Sequence, residues 1–224
     1  VPKTKIPDTT IRRLPIYLRV LSDWSEEKVD VVSSAELAGR TGFSSEQIRK
    51  DFAYFGAFGV RGVGYSASHL QERLRRILGL NKEVPVALVG AGNLGTALAR
   101  YSVLRHRDVR VSAVFDHDWS KVGTTISGDL KVHHISDMPR VIQEQGIKMA
   151  IITVPAQEAE KAAQLLETAG VEAILNFAPV KIHSIKGTYV QNVDLTLELQ
   201  SLAYYVNPTS PRDGSHRNDP DTPR

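Results

Sequence analysis

Apolar residues change their spacing along this chain, and the changes divide it into three regions. Over residues 1–80, leucines and aromatics recur at helical intervals ahead of a glycine-rich stretch that predicts a hairpin. Over 84–190, short apolar runs alternate with helical stretches, which predicts a parallel sheet. From residue 207 onward Pro, Asp, Arg and Ser dominate without apolar periodicity, so 207–224 is expected to be a disordered tail. A boundary near residues 79–83 gives an expected first domain over 1–80 and a second over 83–192.

Within the first region, residues 12–22 place Leu14, Leu18 and Leu21 on one side of a helix. Proline suits the first turn of a helix, so this one is expected to begin near Pro15. Ser33-Ser34-Ala35-Glu36 and Ser44-Ser45-Glu46-Gln47 each fit a capping box and predict two further helix starts. Between them Arg40-Thr41-Gly42-Phe43 supplies a glycine turn, and the whole reads as a helix-turn-helix. At 100° per residue the second helix turns Ile48, Phe52 and Phe55 inward and Glu46, Lys50 and Ala53 outward, with Arg49 and Tyr54 on the flanks. Lys50 and Arg49 suit guanine edges and phosphates in a major groove, and Glu46 either holds a cation in place or accepts from cytosine. Ser44, Ser45 and Gln47 in the first turn complete the candidate DNA-contact set. Next, Gly56-Ala57-Phe58-Gly59-Val60-Arg61-Gly62-Val63-Gly64-Tyr65 reads as a wing. Arg61, beside Gly62, sits at the expected tip, placed for a minor groove.

Charge sharpens this division. The net charge is +3, but residues 1–82 carry 14 Lys/Arg against 9 Asp/Glu while 83–224 carry 14 against 16. A basic front half is what a phosphate-binding module needs, although charge alone fits a solvated face equally well. The absence of cysteine excludes disulfides, thiolate metal sites and thiol redox sensing. No run approaches 18 apolar residues and the start has no apolar signal core. The expectation is a soluble cytoplasmic protein with no membrane partner.

In the second region, a strand over 84–89 runs into Gly90-Ala91-Gly92-Asn93-Leu94-Gly95, followed by a helix to about residue 105 and a strand over 109–115 ending at Asp116. G-x-G-x-x-G is weak alone, but strand before, helix after and an acidic residue at the next strand end form the dinucleotide-binding context of a Rossmann fold. Gly90 makes the tight turn, Gly92 lets backbone approach a pyrophosphate, and Gly95 allows close helix–strand packing. The helix N-terminus offers its N–H groups to the phosphates. Asp116 accepts from ribose hydroxyls and repels a 2′-phosphate, which favours NAD+ and NADH; His117 and Lys121 nearby soften that preference. Strands over 149–154 and 171–176, with a helix over 156–169 between them, continue the sheet. Their end turns, Thr153-Val154-Pro155 and Asn176-Phe177-Ala178-Pro179, are expected beside the crevice at the strands' carboxyl ends.

A dehydrogenase needs a positioned acid or base beside the hydride acceptor. The seven histidines are scattered, no Tyr-x-x-x-Lys occurs, and the nucleotide fold uses up the second region. An enzyme is therefore not expected. His133-His134 is read as a surface loop, with no metal site.

Taken together, the chain resembles the redox-sensing transcriptional repressor Rex family over roughly residues 10–206. The resemblance rests on Leu14-Pro15-Ile16-Tyr17-Leu18-Arg19, Gln47-Ile48-Arg49-Lys50-Asp51-Phe52-Ala53-Tyr54-Phe55-Gly56, Arg61-Gly62-Val63-Gly64-Tyr65, the glycine motif, Asn176-Phe177-Ala178-Pro179 and Val193-Asp194-Leu195. It implies a homodimer on double-stranded operator DNA, bound with NAD+ or without ligand and released by NADH. It implies that Lys50 and Arg49 read the major groove, Arg61 the minor groove, and that Gly90, Gly92, Gly95 and Asp116 hold the dinucleotide. It also implies a last helix over 193–206 exchanged between subunits, and a switch in which Tyr101 and Arg19 compete for Asp194. Some relatives carry an aromatic residue where this chain has Leu195. Two other readings fit parts of the same pattern: an NAD-dependent oxidoreductase with a basic appendage, and a coenzyme A-binding module.

Overall fold

The computed structural model describes residues 6–56, 59, 63–105, 108–183 and 187–206. The chain divides into two compact units, Val1–Glu83 and Val84–Arg224, each with its own core.

In the first unit, α1 spans Asp8–Glu26. Pro7 sets its start by offering its carbonyl to the N–H groups of Thr10 and Ile11 at 2.9 and 3.2 Å. Pro15 thus lies inside the helix, not at its first turn as the sequence suggested. The hydrogen bond it deletes is the one to the Ile11 carbonyl. Both residues are on the exposed face, where water can satisfy that oxygen.

α2 (Ser34–Thr41) and α3 (Ser45–Ala53) form the helix-turn-helix. Ser33 makes a full capping box: its hydroxyl accepts from the Glu36 N–H at 3.1 Å, and the Glu36 carboxylate accepts from the Ser33 N–H at 2.7 Å. α2 ends at Gly42, whose φ of 75° few other residues tolerate. The second box is only half made. Ser44 accepts from the Gln47 N–H at 3.1 Å, but the Gln47 amide runs along the helix to Asp51 at 2.9 Å.

Strands β1 (Val31–Val32) and β2 (Tyr65–Ser66) pair antiparallel. The glycine-rich segment was expected to fold back on itself. At its described points it does so, since a Cβ on Gly59 would collide with the Gly64 carbonyl, and its C-terminal end also pairs with a strand that precedes the helix-turn-helix. Arg61 and Gly62 lie outside the described residues. An unpredicted helix, α4 (Ala67–Ile77), buries Leu70 and Leu74 and closes the core with Leu14, Tyr17 and Leu21, Leu37, and Ile48 and Phe52. Tyr17 meets Phe43 and Phe52 edge-on, with ring centroids 5.8 and 5.3 Å apart.

The second unit is a seven-stranded sheet in the order β5-β6-β4-β3-β7-β8-β9. Its strands are β3 (Val84–Val89), β4 (Val109–Asp116), β5 (Thr125–Ser127), β6 (Leu130–His134), β7 (Met149–Ile152), β8 (Ala173–Asn176) and β9 (Tyr189–Asn192). Apart from β5, which is antiparallel to β6, neighbouring strands are parallel. The chain winds outward from β3 one way through β4 and β6, then the other way through β7, β8 and β9. Winding therefore reverses between β3 and β7, which opens a crevice at their carboxyl ends. Alternation sorts the faces. Leu88 and Val114 pack toward Ala99 of α5 (Asn93–Arg105), while Ala87, Val89, Ala113 and Phe115 pack toward α6 (Met138–Glu144) and α7 (Ala156–Thr168).

Several sequence expectations change here. His133 and His134 belong to β6, not to a surface loop, because their backbone pairs with Phe115 and Asp116. β5, α6 and β9 were not anticipated. α8 spans Leu195–Val206 with none of its residues buried, and leaves Leu195, Leu197, Leu199 and Leu202 exposed. Its exchange between subunits is a matter for a dimer. The expected tail over 207–224 lies outside the described residues.

Candidate functional site

At the reversal of the sheet lies a cavity of about 510 Å³. Its lining comes from the strand ends and their turns: Val89 ending β3 with Gly90 and Gly92 after it, Asp116 ending β4, Thr153, Val154 and Pro155 after β7, and Phe177 and Pro179 after β8. Leu94 and Lys121 also reach it. That size falls within the ~300–1,000 Å³ range of cofactor and ligand sites.

The glycines divide the labour as their positions suggest. Gly90 has φ 105°, and a Cβ there would lie 2.6 Å from the Thr153 carbonyl. A Cβ on Gly95 would collide with the Gly90 carbonyl and come within 2.7 Å of the Thr153 hydroxyl, so α5 can approach β3 and β7 only through glycine. At Gly92 a Cβ would touch no protein atom, which leaves its backbone open toward the cavity. The α5 N-terminus follows at once, with its first N–H groups free of intrahelical partners by geometry. A dinucleotide pyrophosphate fits this cradle.

Asp116 is more engaged than a free ribose acceptor. Its Oδ2 accepts from the Ala91 N–H at 2.8 Å and from Lys121 Nζ at 2.9 Å; its Oδ1 accepts from the Asp118 N–H at 3.0 Å. Burial pushes its carboxyl pKa up, but the bonds from Asp118, Lys121 and Ala91 and the charge of Lys121 outweigh that and hold it below the usual carboxylate value. A carboxylate has about four lone-pair sites, so three strong donors leave room for about one more. One ribose hydroxyl can be taken without moving Lys121.

Not every predicted cofactor residue lines the cavity. Asn176 and Ala178 are buried, and Asn93 opens α5 beside it. The Asn176 amide accepts from the Ala178 N–H at 2.9 Å and donates to the Val180 carbonyl at 2.7 Å, so it shapes the floor from beneath. Ile135 and the α7 residues Glu158, Lys161, Ala162 and Leu165, none of them expected from the sequence, also line the cavity. Their i, i+3, i+4, i+7 spacing was the available signal.

On the first unit, Glu46, Arg49 and Lys50 are exposed on α3, Ser44 is exposed at its cap, and Ser45, Gln47 and Tyr54 are half-buried. Arg49 donates to the Ser34 hydroxyl at 2.9 Å, bracing α3 against the start of α2. The opposite face holds a group the sequence argument passed over. Asp51 is fully buried and accepts from the Thr10 hydroxyl (3.1 Å), Arg13 Nε and Nη2 (2.6 and 2.8 Å), the Tyr17 hydroxyl (2.7 Å) and the Gln47 amide (2.9 Å). Burial raises its pKa, and the bonds from Arg13, Tyr17, Gln47 and Thr10 more than reverse this, leaving it below the ordinary value. Its position three residues after Ile48 on the inward face was the visible clue. One carboxylate thus fixes α3 against α1.

The three residues of the expected switch stand apart in role. Arg19 is on the exposed face of α1, and Tyr101 is half exposed on α5. Asp194 caps α8, its Oδ1 accepting from the N–H groups of Thr196 and Leu197 at 2.9 and 3.3 Å. Among the described residues no group of three or more His, Cys, Asp or Glu is placed to hold a metal ion, and no helix is long and apolar enough to cross a membrane.

Comparison with known proteins draws both units together. Residues 5–53 match the family described as "Putative DNA-binding protein N-terminus", and residues 81–180 match the "CoA binding domain" family. The chain is 46% identical over 200 residues to the redox-sensing transcriptional repressor Rex of Natranaerobius thermophilus, covering 89% of this chain and 91% of that one. It also resembles the crystal structure of RSP, a Rex-family repressor, in complex with β-NAD+ and operator DNA. There the TM-score is 0.84 at 33% identity, over 91% of this chain and 94% of the other. Against RSP with β-NADH the TM-score is 0.78 at 31% identity, over 91% and 95%.

Proposed function

The chain belongs to the Rex family of redox-sensing transcriptional repressors, and on that premise we propose that it represses transcription according to the NADH/NAD+ ratio. The observation that carries the proposal is the presence, in one chain, of a capped helix-turn-helix and of a glycine-lined crevice at the reversal of a parallel sheet. Residues 1–80 are the winged-helix DNA-binding domain, 83–192 the NAD(H)-binding domain, and 193–206 the helix exchanged in a homodimer. The protein works in the cytoplasm as a regulator, not as an enzyme.

Lys50 and Arg49 read the major groove, with Glu46 and Tyr54 beside them and the first turn of α3 on the backbone. Arg61 and Gly62 reach the minor groove. Gly90, Ala91, Gly92, Asn93, Leu94 and Gly95 hold the pyrophosphate, while Asp116 and Lys121 hold the adenosine ribose. Thr153, Val154 and Pro155, with the floor that Asn176 and Ala178 brace under Pro179, shape the nicotinamide end. NADH differs from NAD+ there by one positive charge, and burying that charge in an apolar floor is costly. The cleft therefore closes on the reduced form. Closure changes the dimer so that its two α3 helices no longer match half-sites about 34 Å apart. Asp194, with Tyr101 and Arg19 as alternative donors and Leu195 after it, is the joint that carries the change.

A mobility-shift titration at fixed salt tests this reading. NADH should release the operator, and added NAD+ should restore it; equal DNA affinity with either nucleotide overturns it. The match of residues 81–180 to a CoA binding domain favours a second ligand for the same fold. Calorimetry with NADH and with coenzyme A separates the two, and the carboxylate of Asp116 predicts preference for NADH over a 3′-phosphorylated ribose.

A further inference from the structure

The two asparagines at the ends of β8 and β9 bond to each other. Asn176 donates from its amide to the Asn192 Oδ1 at 2.9 Å. The same oxygen accepts from the Ile182 N–H at 3.1 Å, and the Asn192 amide donates to the Ile182 carbonyl at 3.4 Å. Asn176 also holds the Val180 carbonyl and the Ala178 N–H, and its own carbonyl accepts from the Val193 N–H at 2.8 Å. These bonds fasten the turn over residues 177–182, which gives Phe177 and Pro179 to the cavity, at three points along its length.

We propose that the Asn176–Asn192 pair couples the floor of the nucleotide cleft to the start of α8, with Asn192 as a positioning residue that never touches the cofactor. The connection between the two has no slack. Beyond Asn192 only Val193 intervenes before Asp194, whose carboxylate caps α8. Val193 is itself bonded back to Asn176. A shift of Phe177 or Pro179 therefore moves the α8 cap directly, because no free residue between them can absorb it. Asn176 is fully buried, so its amide has no water to turn to if the pair separates. Asparagine suits the role at 192 because one side chain must accept from two N–H groups and donate to a carbonyl at once.

This inference rests on the repressor reading above, and its test is read separately. In the parent chain the operator affinity without nucleotide is divided by that with saturating NADH; if the ratio is one, the repressor reading itself has failed. Given a ratio above one, Asn192→Ala should bind NADH within about twofold of the parent and bind operator equally well without nucleotide. Its affinity ratio should nevertheless fall toward one, since allosteric couplings of ~5–150-fold are typical. Asn192→Asp keeps the oxygen that accepts from Asn176 but sets a second oxygen against the Ile182 carbonyl, so it should recover only part of the ratio. A parent-like ratio in Asn192→Ala overturns the proposal. If that variant loses operator binding altogether, hydrogen exchange on the parent chain decides. NADH should then protect the N–H groups of Ile182 and Val193 together with those of Thr196 and Leu197. Protection of the 177–182 turn without any change at 193–197 refutes the coupling.

Discussion

Removing the Asp51 carboxylate should cost the first unit far more than its DNA-binding surface suggests. In Asp51→Ala the five hydrogen bonds it accepts disappear, and two of them come from the Arg13 guanidinium. Tyr17 is fully buried, so its hydroxyl is stranded, and the Arg13 side chain, only 18% exposed, keeps a charge without a partner. Breaking a buried pair from one side costs ~3–5 kcal/mol, because the surviving charge keeps its desolvation penalty. Against a typical stability of ~5–15 kcal/mol this is a large fraction. At ~2 kcal/mol per molar urea it shifts the midpoint by roughly 2 M. Trp24 is buried in this unit and Trp119 is exposed in the other, so urea unfolding followed by tryptophan emission in a Trp119→Phe background isolates the affected core. Asp51→Asn preserves shape and separates charge from packing; it should lose ~1.5–3 kcal/mol, since its amide turns donors toward donors. The pH dependence carries a definite sign. The folded carboxyl sits below its unfolded value of about 3.9, so its contribution is complete above that pH and disappears as pH falls through the folded value. Tyr17, raised above its ordinary value by burial and then by Asp51, predicts a second loss as pH climbs beyond about 10. If Asp51→Ala shifts the midpoint by less than a few tenths molar, the carboxylate is not what holds α3 to α1.

Three further outcomes follow from the sites. Lys50→Ala should weaken specific operator binding by ~1–3 kcal/mol in a mobility shift while NADH affinity by calorimetry stays at the parent value; joint loss of both points to misfolding instead. Gly95→Ala drives a Cβ into the Gly90 carbonyl and should abolish measurable NADH binding, leaving a repressor that holds operator at every nucleotide ratio. Lys121→Ala frees a lone pair on Asp116 for a second ribose hydroxyl and uncovers its charge, so the NADH-over-NADPH preference should rise several-fold in competition calorimetry; an unchanged preference means Lys121 does not screen that carboxylate.

How far the sequence could be read depended on whether a residue's partner lay nearby in the chain. Ser33 and Gly42 act on atoms a few residues away and Gly95 on the Gly90 carbonyl, so the caps and the glycine turn were legible, whereas the close approach of Gly90 and Gly95 to the distant Thr153 was not. The α1 start was misjudged because Pro15 looks like a helix opener unless Pro7 and the exposed position of Ile11 are known. β1 and β2 are two residues each, too short for any period, and their pairing depends on a long-range contact between Val32 and Tyr65. Asp51 was hidden for the same reason: its partners Thr10, Arg13 and Tyr17 lie 34 to 41 positions earlier. Asp116 was found, but its occupation by Lys121 depends on the loop after β4. His133 and His134 read as a loop because β6 is only five residues long and mixes polar with apolar positions, so it has little apolar alternation.

A nucleotide ratio can control a repressor only if the free energy separating the two cofactors is large enough. Turning a 99:1 preference for the DNA-binding form into its reverse requires ~10⁴-fold differential affinity, or about 5.5 kcal/mol. A monomer would have to find all of this in one pyridinium charge. In the proposed homodimer two clefts act on one equilibrium, and each need supply only the square root, ~10²-fold or about 2.7 kcal/mol. That is within the penalty of several kcal/mol for an imperfectly compensated buried ion. It sets a condition on the floor of the cleft: Phe177, Pro179 and Val154 must stay apolar, and the turn that carries them must not relax around the charge. The Asn176 network meets that condition by holding the turn rigid from beneath. The same rigidity that makes the oxidised ring unwelcome is then what transmits the closure around the reduced one.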